Sequence, residues 1–351
     1  MKTQKVIKCK ITDLTNIKKK SLQSEYDNLQ TLLKLESQGL DFLPIYQNIK
    51  LHSANKQQAL SFYKKIDVEK QYAISIRNDL LKVEFKPNNK ISKHWCKIPN
   101  KQNRKLWVAI KPHRKDIYFS DYKLGESKVF KKKTKIGFEW WIHITVIKEV
   151  ELKKSYSDIL AIDLGSKVIA AVCGSFGNKP TFYGREVRVI RRHYQHLRSE
   201  LGKKHLLNKI RQMSGKEQRI VNDILHKISR KIVDCADKTD SYIVLGDLKG
   251  TRKPSEKKGR TFRRIVSNMP YLKLTQFIEY KANDKGIEVL RVPEGNASRT
   301  CSKCGYVDKG NRRSQGLFKC ESCGYEINAD INGARNILAF SEGYTHSGRL
   351  S

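Results

Sequence analysis

A chain of 351 residues exceeds one average domain and leaves room for two or three, each able to bury a core of its own. Its 71 Lys and Arg against 35 Asp and Glu give a formal charge of +36, more than solubility requires, so a polyanionic partner is expected. No apolar run of about 18 residues and no signal-peptide core is seen near the N-terminus, which speaks against a membrane span and favours nucleic acid over anionic lipid.

Along the chain, "MKTQKVIKCK" alternates like an edge strand. "LTNIKKKSLQSEYDNLQTLLKLES" then sets Leu22, Tyr26, Leu29 and Leu33 at helical spacing and opens a small helical module reaching to about residue 75. "LLKVEF", "KLWVAIKP" and "FEWWIHITVIKEV" read as strands, the last with Phe138, Trp140, Ile142, Ile144 and Val146 on one face. Aromatic residues on such a strand are expected in the core rather than stacked on bases. Together these segments suggest a β-barrel interrupted by a helical insertion.

The composition shifts at "KKSYSD". "ILAIDLGSKVIAAVCGS" reads as two antiparallel strands joined at Gly165-Ser166, with "TFYG" as a third. The stretch from Arg185 to Lys238 reads as a basic helical hairpin with Ile220, Ile224, Ile228 and Ile232 as its core stripe. Arg188, Arg191, Arg192 and Arg198 on its first arm are candidates for nucleic-acid contact. "YIVLGD" is a strand, a basic loop follows, and a helix runs from Pro270 to Gly286 before the strand "GIEVLRV". Strand, strand, strand, helix, strand, helix, strand is the order of a ribonuclease H-like fold, whose acids lie at strand ends.

Cys301, Cys304, Cys320 and Cys323 form C-x2-C, fifteen residues, C-x2-C, with a glycine after the second cysteine of each pair. Four thiolates at this spacing form two knuckles that meet at a tetrahedral, structural Zn2+; rubredoxin-like iron is the alternative that the basic setting disfavours. Cys9, Cys96, Cys173 and Cys235 are scattered and read as half-buried thiols. Asp163 ends an apolar strand beside a turn, as a Mg2+ ligand or a simple turn former does. Asp330 opens the helix of "INADINGARNILAF", where an acid also complements the helix dipole. Strand acid, second acid and helix acid together suit phosphodiester hydrolysis by two Mg2+ ions about 3.5 to 4 Å apart. No Ser-His-Asp, Cys-His or HNH arrangement is seen, and His143 reads as structural.

"AIDLGS", the four-cysteine segment and "NADINGARNI" resemble the TnpB (OrfB) family of transposon-encoded RNA-guided DNA endonucleases, related to type V CRISPR effectors, over roughly residues 155 to 340. The resemblance implies a multi-domain α/β chain: a wedge-like β-barrel (1–12 and 76–154) with a helical recognition insert (13–75), then a RuvC-like nuclease domain (155–297 and 326–343). A zinc ribbon (298–325) is inserted before the last acidic helix, and 344–351 is a tail. It implies a guide RNA and target double-stranded DNA as partners, one protein per guide RNA, no membrane, catalytic Mg2+, transposition-linked DNA cleavage beside a short flanking motif, and residence in the cytoplasm at the prokaryotic nucleoid.

One position departs. Family members usually carry Glu-Asp where this chain has Gly246-Asp247. Asp247 steps in, or the site is dead and the protein is a guided DNA-binding regulator, or Glu294 has moved in from the neighbouring strand; some family branches pair "GDL" with such a glutamate. Strand alternation turns Asp247 away and favours Glu294. Asp163, Glu294 and Asp330 are thus the expected catalytic and Mg2+-binding residues, with Arg335 beside them facing phosphate or solvent. A stand-alone DNA-binding transposition accessory is the remaining alternative.

Overall fold

The structure, a computed structural model, describes residues 2–40, 44–63, 65–67, 69–103, 106–113, 117–134, 137–165, 168–174, 179–247, 270–293 and 295–342. The chain divides into two compact units, Lys2–Glu149 and the remainder from Val150.

In the first unit, β1 (Lys2–Thr12) leads into α1 (Asn16–Ser37), α2 (Pro44–Gln47) and α3 (Ser53–Phe62) before the strands resume. These are β2 (Ile74–Ile76), β3 (Lys82–Phe85), β4 (His94–Lys97), β5 (Trp107–Pro112), β6 (Lys123–Leu124), β7 (Ser127–Thr134) and β8 (Gly137–Glu149). Among the described residues they form an open, half-barrel sheet in the order β2-β7-β8-β1-β5-β4-β3, with β6 against β8. β1 is therefore central, paired antiparallel with both β5 and β8, and is not the edge expected from its alternation. Alternation reports one wet face, and here Ile7, Cys9 and Ile11 face the core while Lys8 faces out.

α1 buries Leu22, Tyr26, Leu29, Leu32 and Leu33, the stripe that its spacing predicts, and Thr15 caps it by accepting from the Lys18 N–H. Tyr26 meets Trp140 edge-on at 5.4 Å. Trp140, Ile142, Ile144 and Val146 are core as expected, but Phe138 is 59 % exposed because that end of β8 outruns the core. Cys9, Cys96 and Cys173 are fully buried rather than half-buried. No helix among the described residues is long and apolar enough to cross a membrane.

The second unit holds a five-stranded sheet ordered β11-β10-β9-β12-β13. β9 (Asp158–Asp163), β10 (Ala170–Gly174) and β11 (Thr181–Tyr183) are antiparallel neighbours. β12 (Ser241–Asp247) is parallel to both β9 and β13 (Val289–Pro293). Helices α4 (Arg185–Lys203), α5 (Leu207–Gln212), α6 (Lys216–Lys238) and α7 (Tyr271–Asp284) lie between them in sequence. β14 (Leu317–Lys319) and β15 (Glu326–Asn328) make a small hairpin, and α8 (Ala329–Glu342) closes the unit.

One face of the sheet, with Leu160, Ile162, Ile243 and Leu245, packs on Ile228 and Ile232 of α6 and Leu274 and Ile278 of α7. The other face, with Ala161, Val244 and Val292, packs on Ile337 of α8. Burying each such aliphatic side chain contributes about 1.5 to 3 kcal/mol, so these two contacts fix which strand residues face which helix. The stripe of α6 is Val221, Leu225, Ile228 and Ile232; Ile220 and Ile224 sit at its margin.

Candidate active site and metal centre

The two faces decide what each strand end offers. Asp163 continues the row of Ile159 and Ala161 and so emerges on the α8 face. In the parallel register Leu245 lies beside Ile162, which brings Gly246 level with Asp163, and Gly246 in turn pairs with Val292. Asp247 is two residues past Leu245 and belongs to the opposite face, the one covered by α6 and α7. Glu294, the sequence candidate for the third acid, lies outside the described residues. It follows Pro293, the last residue of β13.

α8 delivers Asp330. Asn328 caps the helix, its Oδ1 accepting from the Asp330 and Ile331 N–H groups at 3.0 and 3.3 Å. Glycines on each side bring the two aspartates together. A Cβ on Gly333, one turn after Asp330, would sit 2.6 Å from Asp163 Oδ2, and one on Gly165, two residues past Asp163, would sit 3.5 Å from Asp330 Oδ1. The Asp330 side chain is only 9 % exposed, with Arg312 Nη2 3.8 Å from its Oδ1. Two carboxylates confined at a strand end offer hard oxygen donors of the kind Mg2+ prefers. Cys173, near this site on β10, is held above the ordinary thiol range by burial, an effect that Arg335 opposes and Asp163 reinforces.

The four cysteine sulfurs lie within 4.8 Å of one another. Cys301 Sγ is 3.7 Å from Cys323 Sγ, and Cys304 Sγ is 3.6 Å from Cys320 Sγ. A tetrahedral zinc bound at about 2.3 Å sets its sulfurs about 3.8 Å apart, so the donor set fits a closed four-thiolate site able to hold a metal such as zinc. Each knuckle turns through a left-handed glycine, Gly305 (φ +75°) and Gly324 (φ +66°), whose N–H groups donate to Cys301 O and Cys320 O. Donation from the Cys323 N–H pulls the Cys320 thiol down to about 7.

Sequence reasoning missed the residues that attach this metal centre to α8. Asn332 is fully buried; its Oδ1 accepts from the Ser302 N–H at 3.0 Å and its Nδ2 donates to Thr300 O at 2.8 Å. Asn336 Nδ2 donates to Ala297 O and Thr300 O, both at 2.7 Å. Asn311, also fully buried, ties Arg299 O and Tyr306 O to the Glu321 N–H. Two asparagines four apart on an otherwise apolar helix face were the available signal.

The arginines divide. Arg335 donates to Tyr325 Oη at 2.6 Å, and Arg198 is ion-paired with Glu217 at 2.7 Å. Arg188 and Arg191 are half-buried and Arg192 is exposed.

Residues 271–337 match the Cas12f1-like TNB domain family. A TnpB-like protein of Methanocaldococcus jannaschii is 31 % identical over 232 residues, covering 63 % of this chain and 80 % of that protein. The CRISPR-associated endodeoxyribonuclease Cas12f1 of Sulfoacidibacillus thermotolerans is 32 % identical over 240 residues, covering 63 % of this chain and 54 % of that protein; the chain thus spans about half the length of this relative. A solved complex of Cas12f1 with sgRNA and target DNA superposes with a TM-score of 0.59 at 15 % identity, covering 92 % of this chain and 81 % of that one, a likeness of fold.

Proposed function

From the premise that this chain belongs to the TnpB family, related to the type V CRISPR effectors, we propose that it is an RNA-guided, Mg2+-dependent DNA endonuclease. The observation that carries the proposal is the convergence of Asp163 and Asp330 through their reciprocal glycine contacts, in a chain of net charge +36. The carboxylates of Asp163, Asp330 and Glu294 would hold Mg2+, which when bound supplies water activation and neutralises charge on the scissile phosphate. Asp163 and Asp330 are set by a strand end and a capped helix, so the donors are prepositioned rather than recruited. Val292 packs on α8 beside Gly246, and Gly246 leaves the position level with Asp163 without a side chain. Arg312 balances the buried charge of Asp330.

Guide RNA pairing would select the target double-stranded DNA, with one protein per guide RNA, while the protein grips backbone and reads the flanking motif. We assign the nuclease domain to residues 155–297 and 326–343, the zinc ribbon to 298–325, the wedge-like sheet to 1–12 and 76–154 and the recognition insert to 13–75, working at the prokaryotic nucleoid. One specific observation, glycine at 246, supports a second reading, a guided DNA-binding regulator without nuclease activity.

The protein purified with its co-expressed RNA is challenged with plasmids carrying a randomised flanking motif. Cutting by wild type and Asp247→Ala, abolished by Asp163→Ala, Asp330→Ala and Glu294→Ala, is the expected pattern. Guided binding without any cutting gives the regulator, and cutting that survives Glu294→Ala removes that residue from the site.

A further inference from the structure

We propose that the cavity bounded by α4, α5, α6 and the start of α7 is a phosphate-binding site that grips a nucleic-acid backbone. The cavity measures about 950 Å³ and is lined by elements none of which carries Asp163 or Asp330. Arg191, Arg198 and Lys273 line it against one carboxylate, Glu217. Glu217 is committed to Arg198 at 2.7 Å, so a positive balance remains at Arg191 and Lys273.

Arg191 is the anomalous group. Its Nε is buried and has no hydrogen-bond partner among the described residues. Burial holds its guanidinium below the ordinary arginine range, with Glu217 opposing that effect. Leaving a charged donor desolvated and unmatched costs free energy that an anion in the cavity would offset.

The backbone adds to the same field. α6 and α7 both begin at this cavity, from Gly215 (φ +73°) and Pro270, and neither start has a side-chain cap. The N-terminal peptide dipoles of these two helices, 23 and 14 residues long, therefore favour negative charge where the arginine and lysine already do. The volume falls within the range of about 300 to 1,000 Å³ common for sites that enclose a small ligand, which is ample for a phosphate with its attached sugar. The Arg191 fork, Lys273 and two helix starts lining one concavity suit the tetrahedral, multiply accepting phosphate group.

The source of the phosphate, a polynucleotide backbone, rests on the nucleic-acid reading above; the site itself does not. Full-length protein freed of RNA is titrated with inorganic pyrophosphate by calorimetry and with a labelled single-stranded oligonucleotide by anisotropy across a salt series. Arg191→Gln and Lys273→Gln are compared with Lys227→Gln, which removes an exposed cation paired with Asp223 elsewhere on α6. Lys273 is half-exposed, so its variant keeps the fold even where substitution of Arg191 disturbs packing.

Each of the first two variants is expected to weaken pyrophosphate at least tenfold and to flatten the oligonucleotide salt slope by about 0.7, with Lys227→Gln near wild type. A loss confined to pyrophosphate identifies a free phosphate ligand, and a loss confined to the oligonucleotide identifies the polymer. If both variants match Lys227→Gln in both titrations, the site does not exist. Intact pyrophosphate binding by a protein that never cuts DNA would remove the nuclease reading and leave this one standing.

Discussion

Lys281 provides a quantitative test of the α6–α7 packing that backs the sheet. It is 5 % exposed, and its Nζ donates to His226 O at 2.7 Å and to Ser229 Oγ at 2.6 Å, with no carboxylate bonded to it among the described residues. Burial, reinforced by Arg230 and opposed by Asp234, lowers its pKa from 10.5 to about 8. Because the folded value is depressed, the unfolded chain binds more protons between about pH 8 and 10.5, and stability rises with pH through that window. The difference corresponds to about 3 kcal/mol of penalty present at pH 7 and relieved by pH 10.5. His226 and Tyr280 also face this amine from α6 and α7, and burial holds the His226 imidazole below its ordinary range, under the window.

Lys281→Met removes the charge while keeping most of the volume, so it should stabilise the second unit by about 1 to 2 kcal/mol at pH 7 and abolish the rise. All four tryptophans lie in the first unit, at 95, 107, 140 and 141, so a denaturation step seen by far-ultraviolet circular dichroism and silent in tryptophan fluorescence reports the second. Identical pH dependence of that step in wild type and Lys281→Met would refute the reasoning.

Three further outcomes follow from named contacts. Thiol modification of the native protein should release one equivalent of zinc, measured with a metallochromic dye, and chelation should expose the ribbon to protease; release of no metal would remove the four-thiolate assignment. Gly184→Ala should destabilise the second unit by about 1 to 3 kcal/mol, read from a lowered midpoint of the same step, since its φ is +82° and a Cβ would sit 2.8 Å from that of Ile169. Asn332→Ala should lower cleavage at least tenfold while zinc content stays at one, because the substitution strips Ser302 N and Thr300 O of their partner on the helix that carries Asp330. Unchanged cleavage would show that the attachment is merely structural.

How much of this was legible depended on whether a pattern is local. The α1 stripe and the cysteine spacing are fixed by neighbours within a few turns, and both can be read directly. The stripe of α6 was misread by one residue because apolar side chains occur at both 220 and 221 and at both 224 and 225, and only packing against the sheet chooses between them. Alternation places β1 at an edge because its lysines mark a wet face, whereas its partners, β5 and β8, lie 97 residues or more further along the chain (Thr12 to Ala109 at the nearest). Arg198 is a candidate nucleic-acid contact by sequence, and its ion pair with Glu217 could not be seen there because an intervening helix separates the two. The asparagines of α8 bind chain some thirty to forty residues upstream, which no spacing in the helix reveals.

The glycine at 246 admits a sharper experiment than removal of acids. Its register places it between Asp163 on β9 and Val292 on β13, with its side-chain position on the α8 face. A glutamate introduced there lands in the row of Asp163, whereas any acid at 247 starts from the face that α6 and α7 cover. If the third carboxylate has moved to the neighbouring strand, Glu294→Ala should abolish cutting and Gly246→Glu in the same chain should restore it to within about a hundredfold of wild type, a shortfall of the size expected when a reacting group is misplaced by an ångström. Gly246→Glu alone should impair cutting by crowding two glutamates into one position, so rescue only in the double variant is the signature of a shared seat. A folded double variant that binds guide and target yet remains inactive would mean that position 246 never held the missing function.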